Sequence, residues 1–210
     1  MTEAALPDLV SFEPATGTEL WRGAISDVDR QVAAARQAWP IWAAASLSDR
    51  MDRVRSFANR VRVDIEIFAD LIARETGKPL WEARTEVESV VNKVDISIKA
   101  YADRTSQRRL DGKPGSRSAL RHKPHGVLAV LGPYNFPAHL PNGHIIPALI
   151  AGNAIVFKPS EKTPAVGQML VEYYHKAGIP KGVVCIAQGG PETGKILSAH
   201  PDIDGLLFTG

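Results

Sequence analysis

Four short apolar runs constrain the fold of this chain more than any other feature: Val127–Leu131, Ala154–Phe157, Val183–Ala187 and Leu206–Phe208. Each has the length of a buried strand rather than a helix, and segments of helical character separate them. Thr163 with Pro164 behind it reads as an N-cap followed by proline at the first helical position, and Gly178 reads as a C-cap. Strand, helix, strand at this spacing requires crossover connections, so 126–210 is expected to be an α/β unit with a parallel sheet and crossover helices.

Ahead of it the pattern is helical. Residues 1–25 read as an irregular arm with short strands, Pro14 and Gly17 marking a turn. Asp27 caps a pattern with Val28, Val32, Ala35 and Trp39 on one face, which Pro40 is expected to disturb. Ser48 opens a longer helix in which Met51, Val54, Phe57, Val61, Ile65, Phe68 and Ile72 recur at three and four, ended by Gly77 and Pro79. A third helix turns Val87, Val90, Val94, Ile98 and Tyr101 inward. The polar stretch 106–116 reads as a loop, "SRSALRHKP" as an exposed strand, and the basic cluster Arg104–Arg109 as a solvated helix end. The organisation is thus an arm and helices over 1–105, a loop and strand over 106–125, and a sheet core over 126–210.

Net charge is +2 with the basic residues scattered, which gives no nucleic-acid or membrane surface. The N-terminus lacks a secretory pattern, and no run of ~18 apolar residues exists to span a membrane. The single cysteine excludes an internal disulfide framework and fits a reducing cytoplasm. His139 and His144 are five apart with glycine and proline between, which is not a metal-ligand pair on one helical face, so no metal is expected.

In open parallel sheets ligands bind beyond the carboxyl ends of the strands. After the first run comes Gly132-Pro133-Tyr134-Asn135, after the second Lys158-Pro159-Ser160-Glu161, after the third Gln188-Gly189-Gly190-Pro191-Glu192-Thr193-Gly194, and after the fourth Thr209-Gly210. A turn explains Gly132 and Pro133, but not the stiff Pro-Tyr-Asn-Phe-Pro frame around Asn135. Lys158, read as facing solvent, suits donation to ribose hydroxyls. Glu161 suits acceptance from them and repels a ribose 2′-phosphate, which favours NAD over NADP. The alternative is a surface ion pair worth at most about 1 kcal/mol. "GGPETG" does not have the G-x-G-x-x-G spacing.

"RETGKPLWEARTEV", "GPYNFP", "GNAIVFKPSEKTP", "GIPKGVV" and "FTG" occur in the order found in the aldehyde dehydrogenase superfamily, and the resemblance covers about Ser11 to Gly210. "HLPNGH", "QGGPETG" and "VNKVDISIKAY" resemble the branch of that family acting on succinylglutamate semialdehyde in bacterial arginine catabolism. The resemblance implies a Rossmann-like fold, NAD as cofactor, an aldehyde substrate and a homo-oligomer in which "SRSALRHKP" forms part of a bridging hairpin. It places the Asn135 amide on the substrate oxygen. A cysteine thiolate adds to the aldehyde, hydride passes to NAD, and a glutamate activates the water that hydrolyses the thioester. It places Lys158 and Glu161 at the adenosine ribose, Leu131, Gly132 and Pro133 on the nicotinamide side, and Gly190 and Gly194 where the cofactor approaches the backbone, and it counts Tyr134 and Ser160 among the cofactor-binding residues. Phe208, Thr209 and Gly210 begin the turn toward the pyrophosphate.

In the family the catalytic cysteine and glutamate lie beyond "FTG". The one cysteine here, Cys185, sits in the apolar run "GVVCIAQ" without a basic neighbour, which reads as a buried structural thiol. The chain is therefore expected to be the N-terminal part of a longer enzyme, without its catalytic domain and inactive alone. Two other readings are a self-contained nucleotide-binding module and an NADPH-dependent acyl-group reductase on a related fold.

Overall fold

The computed structural model describes residues 8–105, 108–111 and 117–209. Strands β1 (Asp8–Phe12) and β2 (Glu19–Ala24) pair antiparallel, with Gly17 at φ +72° in the turn. In α1 (Val28–Ala44) the Asp27 carboxylate accepts from Arg30 N at 3.1 Å, as expected of a cap. Pro40 does not end this helix, which continues to Ala44. A proline removes its own N–H donor, and here the flanking turns and the buried Trp42 beyond it keep the segment helical.

The expected long helix is two. Ser46, not Ser48, is the first cap, its hydroxyl accepting from Asp49 N at 3.0 Å, and α2 (Leu47–Val63) stops at Asp64, where φ −104° and ψ 24° leave the helical well. Then α3 (Ile65–Thr76) runs to Gly77, left-handed at φ +76°. The apolar period passes over the joint because a single non-helical residue keeps Phe57, Val61, Phe68 and Ile72 on one buried side. Val87, Val90 and Val94 of α4 (Leu80–Thr105) are buried as read.

The stretch read as a loop is partly paired. β3 (Arg108–Asp111) forms an antiparallel hairpin with β4 (Arg117–Leu120), the strand expected in "SRSALRHKP". The basic cluster accordingly belongs only in part to a helix end, since α4 stops at Thr105 and Arg108 and Arg109 are on β3.

The remaining elements alternate: β5 (Val127–Leu131), α5 (His139–Ile150), β6 (Ala154–Lys158), α6 (Pro164–Lys176), β7 (Val184–Ile186), α7 (Pro191–Ala199) and β8 (Gly205–Phe208). The four strands are parallel in the order β7-β6-β5-β8, the expected α/β sheet with crossover helices. β5 and β6 are covered on both faces, which explains why their runs are continuously apolar rather than alternating, whereas Leu206 and Phe208 of the edge strand β8 are 47% and 65% exposed. Leu128, Val130, Ile155 and Phe157 pack among residues of α2 to α6, while Val127, Ala129, Ala154 and Val156 pack against Val28, Val32 and Ala35 of α1 and Leu197 of α7. Asn142, fully buried, ties this layer together: its amide donates to Val90 O at 3.1 Å and its carbonyl accepts from Tyr174 OH at 2.5 Å.

Thr163 precedes α6 with Pro164 at its first turn, as read, but its hydroxyl makes no capping bond. Glu75 of α3 does that work instead, accepting from Ala165 N at 3.0 Å and Val166 N at 2.8 Å, with Ser11 Oγ donating to it at 2.5 Å. Burial pushes the Glu75 carboxyl up, against the pull of these donors. Glu75→Ala orphans the donors of α6 at a buried helix start, for which ~1–3 kcal/mol is the general cost. A lowered midpoint of urea unfolding in the full-length protein checks it; an unchanged midpoint shows that water replaces the carboxylate.

Candidate active site

The strand register brings the chemistry-bearing ends together. Leu131 pairs with both Lys158 and Phe208, and Phe157 pairs with Ile186, so all four strands finish along one edge. Gly132 N donates to Lys158 O at 3.0 Å and extends the β5–β6 ladder into the loop. A cleft of about 400 Å³ opens at this edge, lined by Leu131, Gly132, Lys158, Ser160, Glu161, Gly194 and Phe208, all expected there, and by Pro191, Lys195 and Ser198, which the sequence reading did not single out.

Gly132 has a steric reason to be glycine: a Cβ would lie 2.9 Å from the Phe157 ring. Its backbone therefore reaches the cleft bare. Lys158 corrects the expectation of a solvent-facing side chain, for it is only 7% exposed. Its Nζ donates to Pro159 O at 2.8 Å and stands 3.8 Å from Glu161 Oε2. Burial pushes the ammonium pKa below the usual lysine range, and Glu161 opposes that. This is therefore not a surface ion pair. An ammonium has three donors, and the Pro159 carbonyl takes one.

Other expected residues lie outside the cleft lining. Gly190 stands before α7 and lines a separate hollow with Ile25, Asp27 and Ile196, with nothing within 4 Å of where a Cβ would be. Tyr134 is exposed, lines a third hollow with Glu75 and Thr163, and carries Lys162 Nζ 4.8 Å from its ring centre. Pro133 lies between that tyrosine and Gly132. Thr209 Oγ1 shares a hydrogen bond of 2.7 Å with His144 Nε2, tying the turn after β8 to α5. Gly210 lies outside the described residues.

Asn135 is exposed at the same edge, in the loop between β5 and α5. Its Oδ1 accepts from Phe136 N at 3.1 Å, which orients the amide, and among the described residues its Nδ2 has no acceptor. The loop is held from behind. Lys78 Nζ donates to Asn135 O at 2.7 Å and to Glu86 Oε2 at 2.7 Å, and lies 4.0 Å from the Phe136 ring centre. Glu86, 2% exposed, accepts through Oε1 from Ala138 N at 2.9 Å and His139 N at 3.1 Å, which caps α5 from outside. The stiff frame is thus the front of a braced device. Lys78 and Glu86 were missed as individual residues, although a signal existed: Glu86 stands four before Val90, on the inward stripe of α4.

Cys185 is 5% exposed, its Sγ faces the carbonyls of Lys181 at 3.6 Å and Gly182 at 3.5 Å, and burial pushes its pKa up to about 11. No helix among the described residues is long and apolar enough to cross a membrane.

A sequence profile described as the aldehyde dehydrogenase family matches residues 2–210. The chain is similar to the N-succinylglutamate 5-semialdehyde dehydrogenase of Sphingopyxis alaskensis, 70% identical over 203 residues that make up 97% of this chain and 42% of that protein. It thus spans less than half the length of that curated relative. Among solved structures, the NADP-dependent glyceraldehyde-3-phosphate dehydrogenase of Bacillus halodurans C-125, complexed with NADP, superposes with TM-score 0.91 at 28% identity, covering 97% of this chain and 45% of that one. PnpE in complex with nicotinamide adenine dinucleotide superposes with TM-score 0.89 at 31% identity, covering 95% and 42%. With the family profile matched over nearly its whole length, the chain belongs to the aldehyde dehydrogenase family.

Proposed function

We propose that this chain supplies the cofactor cleft and the oxyanion-stabilising amide of an NAD-dependent aldehyde dehydrogenase acting on N-succinylglutamate 5-semialdehyde. The observation that carries the reading is the Asn135 amide, exposed and braced by Lys78 and Glu86 at the same sheet edge as the Lys158–Glu161 cleft. The substrate rests on the relative at 70% identity, which bears that name.

The cleft fits a dinucleotide in three respects. Gly132 leaves backbone uncovered, Lys158 retains ammonium donors for hydroxyls, and Glu161 offers a half-exposed acceptor. NAD, when bound, supplies a hydride acceptor. The solved relatives carry either NAD or NADP, so the choice of NAD rests on the Glu161 charge, which repels a 2′-phosphate. Asn135 holds an N–H toward the substrate oxygen, where charge gathers as a nucleophile adds to the carbonyl. The brace keeps that donor in place through the step, so no reorganisation opposes it. The nucleophile is a cysteine outside these 210 residues, as is the glutamate that activates water. The β3–β4 hairpin is proposed to pair with a second subunit in a homo-oligomer, and the lone thiol accords with a cytoplasmic site.

The test is steady-state NADH formation by the full-length enzyme from N-succinylglutamate 5-semialdehyde with each cofactor. Glu161→Ala removes both a ribose acceptor and a repulsive charge, and is expected to lower the NAD-to-NADP ratio of kcat/KM about tenfold. An unchanged ratio takes the ribose away from Glu161, and no reduction of either cofactor overturns the activity.

A further inference from the structure

One polar cluster beside Asn135 has no part in what is described above. Lys93 lies on α4, three residues past Val90, and α4 runs along α5 with Glu86 beside Ala138 and Val90 beside Asn142. Lys93 continues this series beside Gly143: a Cβ at Gly143 would lie 3.4 Å from Lys93 Cε and 3.7 Å from its Nζ. The bare glycine lets the lysine stem lie against α5. The side chain is half-buried, and among the described residues no carboxylate lies within ion-pair distance of it. His139 shares the face of α5 that carries Gly143, since residues four apart stack on one side. Its Nδ1 is shut off from solvent and has no hydrogen-bond partner among the described residues.

Glu86, the acid whose charge acts on His139, is committed to Lys78 and to the backbone of α5. Burial and the charge of Lys93 both push His139 below the usual histidine range, against the pull of Glu86, so it stands as a neutral imidazole with one N–H to donate. His144, subject to the same two influences, already shares a hydrogen bond with Thr209. Lys93, half-buried and without an acid partner among the described residues, and the His139 ring on the adjoining helix leave a positive place without an internal counter-charge; with Nδ1 shut off, Nε2 is the ring nitrogen that can donate to a ligand. Such groups are normally paired, and an anion from outside completes them.

We propose that Lys93 and His139 are specificity-determining residues that receive a carboxylate carried at the far end of the aldehyde. The inference rests on the reading of Asn135 as the group at the reacting carbonyl. His139 opens α5 four residues after Asn135, and Gly143 lies one turn further, about 6 Å along the axis. A carboxylate several bonds from the reacting carbon reaches this place, whereas a short neutral aldehyde leaves it empty. N-succinylglutamate 5-semialdehyde carries two carboxylates, so it meets this requirement without being the only compound that does.

The test uses full-length enzyme with three substrates: N-succinylglutamate 5-semialdehyde, 6-oxohexanoate and hexanal. Lys93→Met is expected to lower kcat/KM for the two carboxylated aldehydes by about 10- to 100-fold, mostly through KM, and to leave hexanal within about twofold, because a charge-assisted hydrogen bond is lost only where a carboxylate is present. Lys93→Arg restores most of the loss. Gly143→Leu, which crowds the lysine without removing it, gives the same selective defect. Equal losses on hexanal and 6-oxohexanoate mean that Lys93 is structural and overturn the proposal. If wild-type enzyme prefers the acids and Lys93→Met keeps that preference, this inference falls and the proposed substrate stands. If wild-type enzyme oxidises 6-oxohexanoate in preference to hexanal, loses that preference in Lys93→Met, and yet ignores the succinylated aldehyde, the substrate falls and the carboxylate site stands.

Discussion

Replacing Asn135 with alanine in the full-length enzyme is expected to lower kcat by ~10²–10³-fold, the usual loss when one pre-organised oxyanion donor, the role proposed for this amide, is removed. The donor matters because of where it is fixed. Lys78 grips the Asn135 carbonyl, Glu86 grips Lys78 and the start of α5, and Phe136 lies under the same ammonium. The amide is thus held by groups that do not move when charge appears on the substrate. KM for NAD stays within about twofold, since Asn135 is absent from the cleft lined by Lys158 and Glu161. Asn135→Asp keeps the volume but replaces the N–H donor with a negative charge facing a developing oxyanion, so its loss is at least as large. The thermal midpoint of Asn135→Ala stays near that of the parent, because the side chain is exposed and makes one local bond. A kcat loss below tenfold in both variants removes Asn135 from the oxyanion. A large loss accompanied by a collapsed midpoint marks it as structural.

The sheet was legible because its inner strands β5 and β6 lie between two layers. Burial on both faces makes those runs apolar throughout, β8 is apolar although Leu206 and Phe208 are exposed, and such runs separated by helical lengths leave few topologies. The helix joint at Asp64 was not legible, because a one-residue break barely alters a period of 3.6. Nor was the choice of Ser46 over Ser48, two serines a single position apart from Leu47 with the same capping chemistry. The hairpin strand β3 was hidden by its polarity, since Arg108, Arg109 and Asp111 give no apolar alternation. Lys158 was misjudged for a related reason: a lysine at a strand end suggests solvent, but β6 is an inner strand and its end is roofed by Pro159 and α7.

The residues around Asn135 divide in the same way. The asparagine itself stood out through its proline frame. Its supports did not, because Lys78 and Glu86 are 57 and 49 positions upstream, and a sequence lists partners by chain position rather than by contact. Glu75 and Glu86 nonetheless share a trait that the sequence carries. Each sits on the inward stripe of its helix, three after Ile72 and four before Val90, where an unpaired carboxylate would be costly. Each proves to accept from the first N–H groups of another helix, α6 or α5. An acid on an apolar stripe is thus a signal for a cap supplied from elsewhere in the fold.

A polypeptide of these 210 residues, given NAD and N-succinylglutamate 5-semialdehyde, forms no NADH above the buffer rate. Hydride leaves an aldehyde carbon only after a nucleophile has added and turned the carbonyl into an alkoxide, and the role proposed for Asn135 is to stabilise that alkoxide, not to create it. Cys185 is the one thiol, and it is poorly placed to serve. With its pKa pushed up to about 11 by burial, about one thiol in ten thousand is ionised at pH 7. Its Sγ faces two backbone carbonyls, which accept from a thiol and repel a thiolate. It also lies on β7, two strands from β5 and the loop that carries Asn135, a lateral separation of about 9.6 Å. A thiol so far from the Asn135 amide does not reach a carbonyl carbon whose oxygen is held there. The ribose contacts proposed for Gly132, Lys158 and Glu161 need no thiol, so weak quenching of tryptophan fluorescence by NAD is compatible with zero turnover. NADH formation that disappears in Cys185→Ala overturns the assignment of that thiol as structural, and NADH formation that persists in Cys185→Ala reveals a nucleophile among these residues that the geometry does not disclose.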